Sequence, residues 1–278
     1  GLHLVRTRPD DCRHDVFGRM RGAVALPSAA SQRRYSWVAV GKGDVRIRTP
    51  ERERTLTPTD VPVRDAATVI LVRDTGTTPR ILMGQRGKAA VFMPEKVVFP
   101  GGAVDVGDGD IALASSVDPT CRSRLEQKST RSVDAIAAAA VREVHEETGL
   151  ALGVPGEWRD APADWMDFAA KGLRPDARKL RFFFRAITPP GRPRRFDARF
   201  FLAGANALVG DLDDFSNASA ELSHLRWIPL SDVRSLNLAF ITRLALAELD
   251  RHLPSLEAPK LVPMVRNDAL DRGVTWLG

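Results

Sequence analysis

The residues with the clearest chemical potential are three glutamates near the middle of the chain. Glu143, Glu146 and Glu147 follow an alanine-rich run that predicts a helix, and their spacing places them on one helical face. Like charges at this spacing repel each other, and folding does not require them. Magnesium does bind such carboxylates, together with the phosphates of a substrate. The pattern therefore predicts a cation site near the helix end at Gly149, where the helix dipole also favours positive charge.

An alternative interpretation is that these glutamates form an ordinary solvated helix face. The segment Phe99-Pro100-Gly101-Gly102 argues against it, because a predicted strand runs into two glycines that allow the backbone to approach a ligand closely. Two separate segments then predict one phosphate-directed site, which favours the functional interpretation.

Together, the glycine pair, an acidic residue six positions later at Asp108, and the segment from Arg142 to Leu150 resemble the Nudix box. The resemblance implies an α/β fold, a Nudix-type α/β/α sandwich with a mixed β-sheet. It also implies a diphosphatase (pyrophosphohydrolase) that uses Mg²⁺ or Mn²⁺ to hydrolyse a nucleoside diphosphate linked to another moiety. The metal ligands implied by it are the Gly101 carbonyl and the carboxylates of Glu143, Glu146, Glu147 and Glu221. The residues to which it gives catalytic roles are Arg142, Glu143, Glu146 and Glu147.

Within this scheme Arg142 orients a box glutamate by a charge-assisted hydrogen bond. A carboxylate must accept the proton of the attacking water, and Glu143 is one candidate. The residues do not decide which carboxylate acts as this base.

The box is interrupted by an insert. Asp108 and Arg142 are separated by 33 residues, about 26 more than is usual for the family. We expect residues 109–133 to form a surface excursion with one short helix, which re-enters the box helix near a cap at Ser132 or Asp134. Asp134 competes with Asp108 for the first acidic position of the box, and the sequence leaves that choice open.

Arg86, thirteen residues before Phe99, resembles a fixed arginine of the coenzyme A diphosphatase branch. The turn Phe92-Met93-Pro94, the insert and residues 194–201 resemble the same branch. The sequence departs from the branch motif at Gly87, Val91 and Glu95. The resemblance implies coenzyme A or an acyl derivative as substrate, bound by Arg86, Phe99, Gly102 and Arg195. For the two arginines, a surface salt bridge is the alternative.

Other functions remain open at this stage. They are a hydrolase of ADP-ribose or NADH, a hydrolase of the RNA cap, and a Nudix module that senses a nucleotide without cleaving it. The glutamate set argues against the sensing module, because a non-catalytic domain gains nothing from the charge repulsion.

Composition limits the class of protein further. The 278 residues are 44% hydrophobic and 27% charged, which is ordinary for a globular domain, and no apolar run approaches the ~18 residues of a membrane span. Two distant cysteines predict no disulfide framework, and five scattered histidines show no zinc spacing. We therefore expect a cytoplasmic enzyme with a small-molecule diphosphate substrate and without a membrane partner.

The domain organisation expected from the sequence has three parts. Residues 1–61 form a basic extension, because residues 1–60 carry 12 Arg or Lys against 7 Asp or Glu. Such an arm suggests a polyanion, but we expect a poorly ordered segment and no nucleic-acid partner. Residues 62–254 form the Nudix domain, with strands predicted near residues 66–72, 81–83, 97–99, 180–187, 199–202 and 226–230 and a helix over residues 235–253. Residues 255–278 form a C-terminal tail.

Overall fold

The computed structural model describes residues 36–39, 45–48, 61–267 and 272–278. The strands are β1 (Ser36–Ala39), β2 (Val45–Arg48), β3 (Val63–Arg73), β4 (Arg80–Arg86), β5 (Val97–Val98), β6 (Gly101–Ala103), β7 (Gly153–Pro155), β8 (Leu173–Pro175), β9 (Arg181–Ile187), β10 (Arg195–Gly204), β11 (Leu222–Pro229), β12 (Val262–Asn267) and β13 (Arg272–Leu277). The helices are α1 (Pro119–Glu126), α2 (Val133–Thr148), α3 (Met166–Ala170) and α4 (Phe240–His252). Most of the predicted basic extension lies outside the described residues.

The main sheet is mixed. Its strand order is β1-β2-β13-β12-β9-β10-β3-β4-β11, with β5 paired to β4 and β6 paired to β3. β10 runs parallel to β3 and antiparallel to β9. Strands β7 and β8 form a separate small antiparallel pair. The predicted mixed sheet with helices on its faces is therefore confirmed.

Alternate residues of β3 point to opposite faces of the sheet and build two cores. Ala67, Val69 and Leu71 belong to the hydrophobic cluster that includes the apolar face of α2. Ile70 and Val72 belong to the cluster that includes α4. The middle of β3 is therefore almost entirely apolar, because helices cover both faces of the strand.

The segment after residue 254 differs from the expected tail. β12 pairs in parallel with β9, and β13 pairs antiparallel with both β12 and β2. Val262, Met264 and Leu277 lie in the same core cluster as α2. The C-terminal segment therefore extends the main sheet and contributes to its core.

The insert also differs from the expected surface excursion. The predicted short helix is present as α1, and Ser132 caps α2 as one of the two predicted caps. However, Cys121 and Leu125 are fully buried in the core. Arg124 donates hydrogen bonds to the carbonyls of Pro259 and Lys260. The prediction of a surface segment was wrong for these residues, because their few apolar side chains are separated by charged ones and show no clear period.

Two buried arginines fasten the end of the insert to the sheet. Arg185 donates to the backbone carbonyls of Gln127 and Lys128 and forms a bidentate pair with Asp197. Arg199 donates to the Ser129 hydroxyl and to Asp65. The insert thus leads into α2 from a fixed starting point. None of the helices in the described part of the chain is both long and apolar enough to cross a bilayer.

Candidate active site

Helix α2 carries the three glutamates and packs on the sheet through a buried surface rich in small alanine side chains. The Ser132 side chain accepts a hydrogen bond from the Ala135 N–H at 3.2 Å and starts the helix. Residues 137–140 are all alanine and are fully buried, so the helix axis lies close to β3. Gly149 ends the helix in the left-handed conformation, with a φ of 76°. The carboxylates of the last two turns therefore lie directly over β6.

Neither glycine of β6 could carry a side chain without a clash, for a different reason at each position. The Gly101 N–H donates to Oε2 of Glu147 at 2.7 Å. Gly101 has a φ of 152°, and a Cβ there would overlap the Ala67 carbonyl. A Cβ on Gly102 would overlap the carboxylate of Glu143. Gly102 thus makes room for Glu143, while the Gly101 backbone binds Glu147; the predicted close approach of a ligand to these glycines stays a prediction.

Arg142 connects the acidic groups of the site. Its guanidinium forms a bidentate pair with Asp108 at 2.9 and 3.0 Å and donates to the Ala103 carbonyl at 3.0 Å. It also donates to Glu143 at 2.9 Å and to Glu146 at 3.2 Å. Arg142 thus hydrogen-bonds two box glutamates, and its predicted role in orienting one of them stays a prediction.

Asp108, rather than Asp134, occupies the acidic position next to Arg142. The Asp108 side chain is 2% exposed. Asp134 instead accepts hydrogen bonds from Arg122 and Ser116 at the start of α2. The alternative that the sequence left open is therefore decided by position in the fold.

Burial raises the pKa values of the glutamates. Burial, opposed by Arg142, raises the pKa of Glu143 to about 7. Burial also raises the pKa of Glu147 to about 8, although the Gly101 N–H opposes this rise. The pKa of Glu146 is raised by burial as well. Burial opposes the charge of Arg142, but its bonds to Asp108 and its acidic neighbours raise its pKa above the ordinary value. At neutral pH, burial therefore favours the protonated forms of these carboxyl groups more than water does.

One carboxylate oxygen has a geometry that suits a cation. Oε1 of Glu147 is buried and makes no hydrogen bond, while Oε2 is held by Gly101. A buried oxygen without a partner is costly, and a divalent cation would satisfy it. In the described part of the chain, no three His, Cys, Asp or Glu side chains already surround a single cation position.

Arg86 and Glu221 lie at the same edge of the sheet as the cluster. Leu222, next to Glu221, is the register partner of Arg86 across β11 and β4. The charge of Arg86 lowers the pKa of Glu147, and that of Glu221 raises it, which places both side chains near the cluster. Nε of Arg86 is buried without a hydrogen-bond partner. These two predicted site residues therefore lie near the box glutamates, and their roles stay predictions.

Phe99 and Arg195 have different surroundings. Phe99 is 4% exposed and packs edge-on against Phe200 in the cluster on the α4 side of the sheet. Arg195 begins β10 and donates from Nε to the Thr188 carbonyl at 3.1 Å. The geometry favours a core role for the Phe99 side chain, and substrate contacts of both residues stay predictions.

Sequence reasoning missed two groups that help to hold Arg142. The Ala103 carbonyl accepts from the guanidinium. Asp105 lies 3.7 Å from it, and the Asp105 N–H donates to Asp108 at 2.7 Å. The spacing of two aspartates three residues apart is a signal for such a local turn. A backbone carbonyl leaves no signal in the sequence.

Comparisons with known proteins show which proteins this chain is similar to. A curated protein of Caenorhabditis elegans, named "Putative nudix hydrolase 7", is 32% identical over 178 residues, which cover 59% of this chain and 51% of that protein. The chain thus spans about half the length of this curated relative. A Nudix hydrolase structure from Alicyclobacillus acidocaldarius is 27% identical, with a TM-score of 0.54, and the match covers 72% of this chain and 100% of that one.

No family model matches the chain. Both the curated relative and the solved structure are named as Nudix hydrolases. The chain is therefore similar to two proteins named as Nudix hydrolases, and its likeness to the solved structure supports the α/β fold.

Proposed function

We propose that this protein is a divalent-metal-dependent diphosphatase that hydrolyses a nucleoside diphosphate linked to another moiety. The observation that carries the proposal is the unpartnered Oε1 of Glu147, buried beside Glu143 and the Gly101–Gly102 backbone. Helical packing alone gives no reason to bury two carboxylates there, and their raised pKa values show the electrostatic cost. A function that supplies a cation accounts for both facts.

Glu143, Glu146, Glu147 and Glu221, with the Gly101 carbonyl, would hold the Mg²⁺ or Mn²⁺. When bound, the metal neutralises charge on the diphosphate and lowers the pKa of a water molecule. Asp108 fixes the guanidinium of Arg142, which in turn orients Glu143 and Glu146. Glu143 is our candidate for the carboxylate that accepts the water proton, because Arg142 holds only one of its oxygens.

Arg86 supports a finer proposal, coenzyme A or an acyl-coenzyme A as the substrate. Its guanidinium lies near Glu147 and has a buried Nε without a partner, so it is available for a phosphate oxygen. Cleavage at the diphosphate would yield 3′,5′-ADP and a phosphopantetheine. This proposal depends also on the sequence resemblance at Arg86, and Val91 and Glu95 remain departures from that motif.

The test is a substrate screen with purified protein and Mg²⁺. The panel contains coenzyme A, dephospho-coenzyme A, ADP-ribose, NADH and capped RNA, each with and without EDTA. We expect coenzyme A to be cleaved fastest and dephospho-coenzyme A more slowly. Faster cleavage of ADP-ribose, NADH or capped RNA would refute the coenzyme A proposal but leave the hydrolase proposal intact. Nucleotide binding without cleavage of any member would refute the hydrolase proposal.

A further inference from the structure

A loop between β10 and β11 lies against the C-terminal end of α2. We call residues 211–221 the acidic loop, since it contains three aspartates and ends at Glu221. The Ser219 N–H donates to the backbone carbonyl of Glu146 at 2.7 Å. The backbone around Asn217 packs on Gly149, the residue that ends the helix. The acidic loop therefore carries Glu221 to the glutamates of α2.

Two side chains from the sheet hold the other end of the acidic loop. The indole N–H of Trp227 donates to the Leu212 carbonyl at 2.7 Å. Arg73 donates to Asp213 at 2.9 Å, and its guanidinium lies 4.8 Å from the centre of the Trp227 ring. Trp227 is buried, and the Arg73 side chain is 21% exposed. The acidic loop thus receives two hydrogen bonds from this pair, one from the Trp227 indole to a backbone carbonyl and one from the charged Arg73 to a carboxylate.

The backbone on either side of Glu221 is held by the Ser219–Glu146 hydrogen bond and by the pairing of Leu222 with Arg86, but these contacts do not hold its side chain. Glu221 is exposed, and its N–H reaches the Ser219 hydroxyl only at 3.4 Å. The carboxylates of the loop repel one another and repel those of α2. Without a positive anchor, this repulsion favours loop positions farther from the helix. Arg73 supplies a positive charge at the end of the loop that is distant from the cation site.

We propose that Arg73 and Trp227 are positioning residues, which hold the acidic loop against α2 so that Glu221 reaches the cation. The inference rests on the proposed function, because it takes Glu221 as a cation ligand. Arg73 and Trp227 touch neither the cation nor the substrate in this account. They act by raising the fraction of molecules in which the Glu221 carboxylate lies close enough to bind the cation.

The experiment compares Arg73→Gln with Arg80→Gln in the full chain. Arg80 is the register partner of Arg73 on β4. Both arginines lie near the Asp74 carboxylate, Arg73 at 3.6 Å and Arg80 at 3.7 Å. Of the two, only Arg73 bonds to Asp213. Arg80→Gln is therefore a matched control. The readout is Mn²⁺ affinity, measured from the electron paramagnetic resonance of free Mn²⁺. Arg73→Gln should weaken the affinity about three- to tenfold, whereas Arg80→Gln should leave it unchanged.

A double-mutant cycle with Glu221→Gln tests whether the effect passes through the loop. In the Glu221→Gln background, Arg73→Gln should cause no further loss of Mn²⁺ affinity. Trp227→Phe, which keeps an aromatic ring but loses the N–H, should weaken the affinity in the same direction and serves if Arg73→Gln fails to fold. Equal affinities for the two arginine variants, full additivity with Glu221→Gln, or an unchanged affinity in Glu221→Gln would overturn the proposal.

The diphosphatase function is tested separately from this inference. If the Mn²⁺ affinities follow the expected pattern but no diphosphate is cleaved, the positioning role stands and the hydrolase proposal fails. If diphosphates are cleaved but the Mn²⁺ affinities do not follow it, the positioning role alone fails.

Discussion

Replacing Glu147 by Gln separates the cost of this carboxylate for folding from its value for catalysis. Burial raises the Glu147 pKa from 4.5 to about 8 in the folded protein. Between these values the folded state binds more protons than the unfolded state, so the free energy of unfolding falls as pH rises. Each pKa unit corresponds to about 1.4 kcal/mol, which puts an upper limit of about 5 kcal/mol on this loss. Part of it comes from repulsion by Glu143, which a neutral side chain at position 147 also removes.

We therefore expect Glu147→Gln to stabilise the metal-free protein by roughly 2–4 kcal/mol at pH 8.5 and by under about 1 kcal/mol at pH 5.0. The glutamine oxygen can still accept the Gly101 N–H, so the local geometry is retained. At the same time, turnover with saturating Mg²⁺ should fall at least about a hundredfold, because a cation ligand is lost.

The assay is urea unfolding in EDTA at both pH values, beside steady-state turnover with Mg²⁺. Glu126→Gln, at an exposed glutamate of α1, is the control and should change neither quantity. Equal stabilisation at pH 5.0 and pH 8.5 would refute the electrostatic argument. Near wild-type turnover in Glu147→Gln would refute the metal-ligand assignment.

Three further variants test other parts of the account. Asp108→Asn should destabilise the protein by about 3–5 kcal/mol, because it leaves Arg142 buried without its bidentate partner, whereas Asp134→Asn at an exposed pair should cost under about 1 kcal/mol in the same denaturation assay. Leu125→Ala should lower the free energy of unfolding by about 2–5 kcal/mol, measured by thermal or urea unfolding, because this side chain of the insert is fully buried. A loss below about 1 kcal/mol would show that the insert is not part of the core. Arg86→Ala should lower kcat/KM for coenzyme A, and the decrease should correspond to a loss of about 1.5–3 kcal/mol of transition-state stabilisation. An unchanged kcat/KM would exclude a phosphate contact.

The meeting of the box glutamates with the glycine pair could be predicted from the sequence because its signals are local. Glutamates spaced along one helix need only the helix to meet, and the glycine pair records how closely they approach the backbone. Strands of the mixed sheet could also be predicted, because the apolar stretches within β3 and β10 are typical of buried strands.

Other features depend on contacts between distant segments, which leave no period in the sequence. The insert belongs to the core through Cys121 and Leu125, and its anchors are carbonyls of residues near the C-terminus. Strand β12 pairs in parallel with β9, and no local sequence pattern predicts this pairing. The choice between Asp108 and Asp134 likewise required the position of Arg142 in space.

Hydrolysis of a nucleoside diphosphate conjugate in ¹⁸O-labelled water tests the central claim most directly. With Mg²⁺ present, we expect one labelled oxygen in the phosphate of a single product, no reaction in EDTA, and a loss of at least about a hundredfold in Glu146→Gln. Absence of labelled product across the substrate panel with either Mg²⁺ or Mn²⁺, or full activity of Glu146→Gln, would contradict the claim that these carboxylates hold a catalytic cation.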